Sequence, residues 1–523
     1  MMQTVIGIDY GTQEARAILV NAEDGEVLSA RAVRYPHGVM DGDLASAEDY
    51  EGALETLLAR VTDAGLRDSV AGICVDATSL TLVPLAADGR VLSRLPGLEA
   101  HPQAQIKLWK RHAAQPQAEE ALQLARRTRQ PFLGRTGGSL SSEWMLPKLV
   151  EMRDAAPEVY AKLDLALDLC EFLTGRLTGR FCRSAGPMGY KGLYSADLGL
   201  PGDAFLNELR PGLAGEYRRL MRGTVLRPGD AAGRLSESWK RRLGLRQDVV
   251  VAAGIIDGHT GPAALGALGR GDAALVVGTS NVLSVQADAL CEIEGVCGIV
   301  RDGMVPGMYG LEAGQNCTGD MLEWYVRNAV PSEVREAAER RQVSVHEILS
   351  GRVCEPWRCR ITAADWWNGS RNVPCDLSLT GAILGLTLDA RPEDIYLALL
   401  QGIACGTREL IDQCARGGLP VHRILATGGM ALKNPLLMQQ YANLLGRSIS
   451  VGDLAEGPAL GAAIYAAVAA GVHPTLEAAS RAMGIRQFKT YAPDAAHADA
   501  YEQLFRRNHR WREAVRACRE EDG

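Results

Sequence analysis

Residues 5–16 read VIGIDYGTQEAR, and residues 273–281 read AALVVGTSN. Each is an apolar run with strand character that ends in a Gly-Thr turn, and the first then returns as ARAILVNAEDGEVLSARAVRY. Asp24-Gly25 supplies a tight hairpin for that return. In the first turn Gly11 lets the backbone come close to a ligand without a Cβ in the way. The Thr12 hydroxyl and the neighbouring N–H groups can bond phosphate oxygens. Asp9 can hold Mg²⁺ directly or through water, and Arg16 can meet developing phosphate charge. A solvated hairpin would also look like this, so one copy decides little. The second copy, with Gly278 and Thr279, turns the pair into a candidate polyphosphate clamp. Neither turn is a Walker A loop.

A third strand–turn–strand unit is expected in AGICVDATSLTLVPLAADGRVLS (71–93), with Asp88-Gly89 as its tight turn. Between these units lie amphipathic helices. One is expected to start at Ser46, where Ser46 and Asp49 form a capping-box pattern. Another opens with Pro392 in its first turn and stops at Gly417-Gly418. Strands alternating with helices over 523 residues indicate an α/β chain of two domains. The repeated hairpin suggests two related halves, 1–250 and 251–523.

The composition excludes several classes. The net charge of −7 is spread without long single-sign blocks, which argues against a nucleic-acid binder. The longest apolar runs, such as VVVAAGII (249–256), are too short to span a bilayer. The N-terminus has no signal-peptide pattern, so a cytoplasmic location is expected. None of the 12 cysteines forms a C-x-x-C pair, which points to reduced thiols and away from zinc.

Two further features carry chemistry. ATGGMALKNP (426–435) is a strand ending in Gly428-Gly429 before a helix, a flat surface suited to an adenine ring. Asp257 follows the strand 249–256, where it could be a general base at a cleft or a helix N-cap.

Together with HPQAQIKLWKRHAA (101–114), SSEW (141–144), DGHTG (257–261), GLEAGQNCTGDMLEW (310–324), DWWNGSRN (365–372) and GPALGAAIYAAVAAG (457–471), these motifs give the chain a resemblance to the FGGY carbohydrate kinases. The resemblance is strongest to their ribulokinase branch and covers essentially the whole length. It implies two actin-like (ribonuclease H-like) domains flanking a deep cleft, with ATP and Mg²⁺ as cofactors. It makes Asp257 the catalytic base, and Lys191 and Glu312 sugar-hydroxyl ligands. On the residues alone, Lys191 reads as a solvated lysine and Glu312 as an exposed or capping acid. Trp109 serves equally as a sugar platform or a core tryptophan. Gly319, Gly429 and Asn434 match family positions around ATP. Thr78 and Ser79 stand where glycerol kinases carry Arg-Glu and xylulokinases Met-His, so both of those substrates are disfavoured.

The expected activity is phosphorylation of the terminal hydroxyl of a ketopentose, foremost ribulose, in the manner of L-arabinose breakdown. Another pentulose or a pentitol is the alternative, and a homodimer is possible. From a different class, an actin-fold sensor or filament protein would need no sugar site.

Overall fold

Apolar residues run almost without a break along 4–10, 70–77 and 272–277, and in the computed structural model all three segments are interior strands buried on both faces. The structure describes residues 2–62, 66–245, 247–372, 375–376, 378–453 and 457–520. Two large sheets organise the chain. The first runs 27–34, 14–21, 4–10, 70–77, 250–252, 231–234, and strand Ile255–Ile256 also pairs with 70–77. The second runs 298–301, 309–315, 281–287, 272–277, 423–427, 449–452, 488–491.

From 27–34 in the first sheet and from 309–315 in the second, successive pairings follow one sequence: antiparallel, antiparallel, parallel, parallel, antiparallel. The twice-written hairpin is therefore one part of a repeated topology. In both copies the hairpin strand leads into a polar turn at the same edge of its sheet.

The chain does not keep the two sheets separate. Helix Gly457–Ala469, late in the sequence, packs across strands Thr4–Tyr10 and Val70–Ala77 of the first sheet. Small residues permit the approach, since a Cβ on Gly7 would stand 1.8 Å from the Ala459 carbonyl oxygen. Ala459, Ala463 and Ala466 face Val5, Ile18 and Cys74 in one fully buried core. Gly7→Ala is accordingly expected to cost about 1–3 kcal/mol by overpacking, or more if the helix is displaced. A urea melt of the full chain measures this, and an unchanged midpoint would refute the contact.

One expectation fails here. Strand Leu82–Leu85 leaves the first sheet and pairs with Leu165–Asp168 in a small separate sheet. The turn at Asp88-Gly89 does close, Ala86 N donating to the Arg90 carbonyl at 2.8 Å. It pairs only the single bridge Leu85–Val91. The cause is the loop 78–81, which Leu80 enters with φ +47°. That backbone is pinned on both sides: Leu80 N–H donates to Asp168 Oδ2 at 2.8 Å, and Lys148 Nζ donates to the Leu80 carbonyl at 3.3 Å.

Helix Ala47–Val61 starts after Ser46 as expected, with Ser46 Oγ accepting from Glu48 N. The box is not completed, because the Asp49 carboxylate accepts from His37 N and meets His37 Nδ1 instead. Helix Pro392–Arg416 begins and ends where the sequence places it. The 12 cysteines are free. Among the described residues no cluster of three or more His, Cys, Asp or Glu is arranged to hold a metal, and no helix is long and apolar enough to cross a membrane.

Candidate active site

Parallel strands place their C-terminal ends side by side. Asp9 and Asp76 are register partners on neighbouring strands, and Ile255, two residues before Asp257, is the partner of Asp76 on the other side. Three carboxylates thus meet at one edge of the first sheet. Asp76 is fully buried, and neither of its oxygens has a hydrogen-bond donor. Burial, then the Asp9 carboxylate beside it, pushes the Asp76 carboxyl well above the usual range. Two carboxylates so close need a shared proton or a cation between them. The donor set therefore fits a divalent ion. Mg²⁺ bound by one or two carboxylates, water and phosphate oxygens needs no larger protein cluster.

Asp257 opens a single 3-10 turn, Asp257–His259. Its Oδ1 accepts from Gly258 N at 2.6 Å, and its backbone carbonyl accepts from Thr260 Oγ1 at 2.7 Å. The side chain does not cap the following helix Gly261–Leu265, so the cap alternative drops out. Burial first, then the charge of Asp9, pushes the Asp257 carboxyl up to about 8, against a downward pull from the Gly258 N–H. A carboxylate with that affinity for a proton, at the rim of a cavity, is equipped as a general base.

The cavity beside it has a volume of about 310 Å³ and is lined by Asp257, Gly278, Thr279, Ser280, Thr427 and Gly428. Base and second glycine turn therefore share one space, and that volume suits a small-molecule site. The turn is braced from behind: Thr318 Oγ1 donates to the Gly278 carbonyl at 2.8 Å and Thr318 N to the Thr279 carbonyl at 2.8 Å. Gly319 packs so tightly there that a Cβ would stand 2.7 Å from the Gly278 oxygen. Gly428 adopts φ +104°, with a Cβ position 2.5 Å from the Val277 carbonyl oxygen. Gly429 starts the next helix facing open space, as a close-approach surface should.

In the first turn, Gly11 N donates to the Glu14 carbonyl at 3.1 Å and Tyr35 Oη to the Gly11 carbonyl at 3.0 Å. Thr12 Oγ1 accepts from Trp109 Nε1 at 3.3 Å, which brings the tryptophan to the first glycine turn. Arg16 is paired with Glu14 at 2.6 Å.

The sugar candidates group together. Lys191 and Glu312 are 4% and 6% exposed, so neither is the solvated surface charge that its residue type suggests. Lys191 Nζ lies 3.9 Å from Glu312 Oε1, and His259 Nε2 lies 2.7 Å from Glu312 Oε2. Burial works to raise the Glu312 carboxyl, but Lys191 and His259 outweigh it and hold it at about 2. Buried ion pairs repay their desolvation poorly, so a set like this points to function more than to stability. Thr78 Oγ1 is bonded to Thr81 Oγ1 at 2.8 Å, whereas Ser79 Oγ is buried without a partner.

Asn434 is placed differently from a nucleotide-facing group. It is 5% exposed, accepts from Leu437 N at 3.0 Å and donates to Tyr396 Oη at 2.9 Å. The first of these bonds caps helix Pro435–Leu445, and the second ties its start to helix Pro392–Arg416. Asp76, Asp168, Lys148 and His259 escape a reading of the sequence. Asp76 and His259 carried a signal, since each adjoins a motif residue already singled out. Lys148 acts through backbone carbonyls and left none, while Asp168 left only a helix-start pattern, the capping box it makes with Glu171.

The family model described as the FGGY family of carbohydrate kinases, N-terminal domain, matches residues 4–266, and its C-terminal counterpart matches 273–470. A ribulokinase of Anoxybacillus flavithermus is 37% identical over 96% of this chain and 92% of that protein. A ribulokinase of Geobacillus thermodenitrificans is 36% identical over 99% and 98%. Among solved structures, a ligand-bound xylulose kinase from Lactobacillus acidophilus superposes with TM-score 0.82 at 17% identity, covering 100% of both chains. A Plasmodium falciparum glycerol kinase with ADP gives 0.76 at 16%, covering 99% of this chain and 98% of that one. At those identities the structures establish the fold alone, two α/β domains each built on a large mixed sheet, which is consistent with the expected actin-like arrangement. With both domain models matched in order over most of its length, the chain belongs to the FGGY family of carbohydrate kinases, enzymes that transfer a phosphoryl group from ATP to a sugar.

Proposed function

We propose that the sugar is a ketopentose, foremost ribulose, and that its terminal hydroxyl is phosphorylated to give ribulose 5-phosphate, the reaction type of L-arabinose breakdown. The observation that carries this reading is the buried Lys191–Glu312–His259 cluster beside the base Asp257. The relatives named ribulokinase, at 33–37% identity over nearly the whole chain, support the same substrate. The boundary between the halves falls later than residue 250, because strands Val250–Ala252 and Ile255–Ile256 belong to the first sheet. With Lys191 from the first half and Glu312 from the second, both halves would hold the sugar, and the second would carry most of the nucleotide site.

Phosphoryl transfer asks for positioning and charge neutralisation more than for covalent chemistry. In this site Lys191 donates to, and Glu312 accepts from, sugar hydroxyls, and Ser79 Oγ has a hydrogen bond to offer. Asp257 accepts the proton of the attacking hydroxyl as its oxygen bonds to the γ-phosphorus, and the bond to the β-phosphate oxygen breaks to release ADP. The glycine N–H groups of the two turns are spent on the Glu14 and Ser280 carbonyls, so the polyphosphate would meet the N–H and hydroxyl groups of Thr12 and Thr279. The N-terminal end of helix Gly457–Ala469 borders the same cavity, with its dipole favouring negative charge there. Mg²⁺, held by Asp9, would neutralise charge on the phosphate oxygens.

A site built from hydroxyl-bonding groups rejects analogues that lack those hydroxyls by factors an apolar pocket cannot reach. An ADP-release assay over ketopentoses, pentitols and glycerol is expected to give ribulose a kcat/KM at least ~10²-fold above that of glycerol, which lacks those hydroxyls, and above that of xylulose, whose C3 hydroxyl has the inverted configuration. Glycerol as the best substrate would overturn the reading of Thr78 and Ser79.

A further inference from the structure

His259 is fully buried, two residues from Asp257 in the same 3-10 turn. Glu312 is ionised and can only accept, so the hydrogen on the 2.7 Å contact belongs to His259 Nε2. The ring is held on its other sides as well. Tyr190 lies against it at 4.4 Å between centroids, and the Tyr190 hydroxyl is fixed on the Gly310 carbonyl at 2.6 Å. Gly186 backs Nδ1: a Cβ there would stand 3.9 Å from that nitrogen and only 2.9 Å from the Gly303 carbonyl oxygen. Nδ1 has no hydrogen-bond partner. The imidazole's one directional bond is the bond to Glu312.

The bond occupies Glu312 Oε2 and leaves Oε1 facing Lys191 Nζ at 3.9 Å. That separation exceeds a hydrogen bond, so both atoms retain capacity for a third group between them. Asp257 and His259 belong to one rigid turn, and His259 grips Glu312. The distance from the base to the hydroxyl-binding pair is thereby set by a short chain of fixed contacts.

We infer that His259 is a positioning residue that sets the spacing between Asp257 and the Lys191–Glu312 pair, and through it which hydroxyl of the sugar is presented for phosphorylation. The inference rests on the reading of Lys191 and Glu312 as sugar ligands. A histidine kept only to satisfy a buried acid would leave the same contacts in the structure, but it would have no bearing on hydroxyl discrimination.

The test uses His259→Leu, His259→Gln and Glu312→Gln, each with a melting curve and with kinetics on ribulose and its single-deoxy analogues. Misplacing a reacting geometry by ~1 Å costs roughly 10²-fold. His259→Leu is therefore expected to lose about 10²-fold in kcat/KM on ribulose with KM for ATP unchanged. The penalty for the analogue lacking the Glu312-bonded hydroxyl should shrink at least ~10-fold, while penalties at the other positions stay. His259→Gln, which keeps an N–H donor, should restore most of the discrimination. A His259→Leu protein that melts earlier yet keeps every deoxy penalty overturns the inference. If His259→Leu does not fold, His259→Asn, whose amide is too short to reach Glu312, carries the same comparison. Glu312→Gln separates the two layers. If it leaves all penalties unchanged, the sugar-ligand reading falls and the His259 inference with it. If it erases a penalty that His259→Leu leaves intact, only the His259 inference falls.

Discussion

Asp257→Asn is expected to lose at least ~10²-fold in turnover, the usual contribution of a general base. Asparagine preserves shape and can still accept from Gly258 N, which Asp257 Oδ1 does at 2.6 Å, but it cannot take the hydroxyl proton. KM for ATP should stay within a few-fold, because the change removes a proton acceptor and leaves both glycine turns intact. The loss should come without a large drop in melting temperature, since the Asp257 side chain caps no helix. The pH profile gives an independent check. Burial and Asp9 push the Asp257 carboxyl up to about 8, and only the ionised form works as a base. Log kcat/KM for the sugar should therefore climb with unit slope from acid pH, levelling off no higher than about 8, and the limb should vanish in Asp257→Asn. A variant with a normal rate and a normal limb would leave the mechanism without its base.

Asp9→Asn should lose one to three decades of turnover, about 1.4 kcal/mol of transition-state stabilisation per decade. Its effect on stability should have the opposite sign. In the metal-free protein Asp9 and the fully buried Asp76 are neighbours in register, and the proton that Asp76 must take up, for its burial and for the charge of Asp9, is a cost of folding at neutral pH. Asparagine in place of Asp9 removes the part of that cost due to the Asp9 charge. The variant should melt at a higher temperature than the unaltered protein when Mg²⁺ is chelated, and should gain less on its addition. Thr279→Val should lose turnover of the same order without a stability change, since Thr279 is exposed. Calorimetry with and without Mg²⁺, paired with kinetics, measures both signs. An Asp9→Asn protein that is less stable and fully active would refute the site.

The repeated hairpin was legible because its period and its Gly-Thr turns are local properties, and helix Pro392–Arg416 because its caps are written in its ends. The departure of Leu82–Leu85 was not legible. It depends on Asp168 and Lys148, distant residues that seize the backbone of Leu80 from both sides. The crossing of helix Gly457–Ala469 onto the first sheet was hidden for a related reason. An alanine-rich helix is compatible with many partners, and Gly7 and Gly72, far away in the sequence, make room for it. In the site, Asp257 and the glycine turns were readable from their places at strand ends. Lys191 and Glu312 were not readable from residue type, which argued for exposure. Their burial comes from strands and a helix that meet only in the folded chain. Asn434 illustrates the converse, a family position whose side chain is spent on capping a helix.

The proposed reaction is regiospecific transfer from ATP to a ketopentose. Its most direct test is to incubate the protein with Mg²⁺, ATP and ribulose and to identify the phosphorylated carbon by coupled ³¹P and ¹³C magnetic resonance while counting ADP released. Ribulose 5-phosphate is expected as the sole sugar product, formed one-for-one with ADP. ADP without a sugar phosphate, or a phosphate on any carbon other than the terminal one, would contradict it.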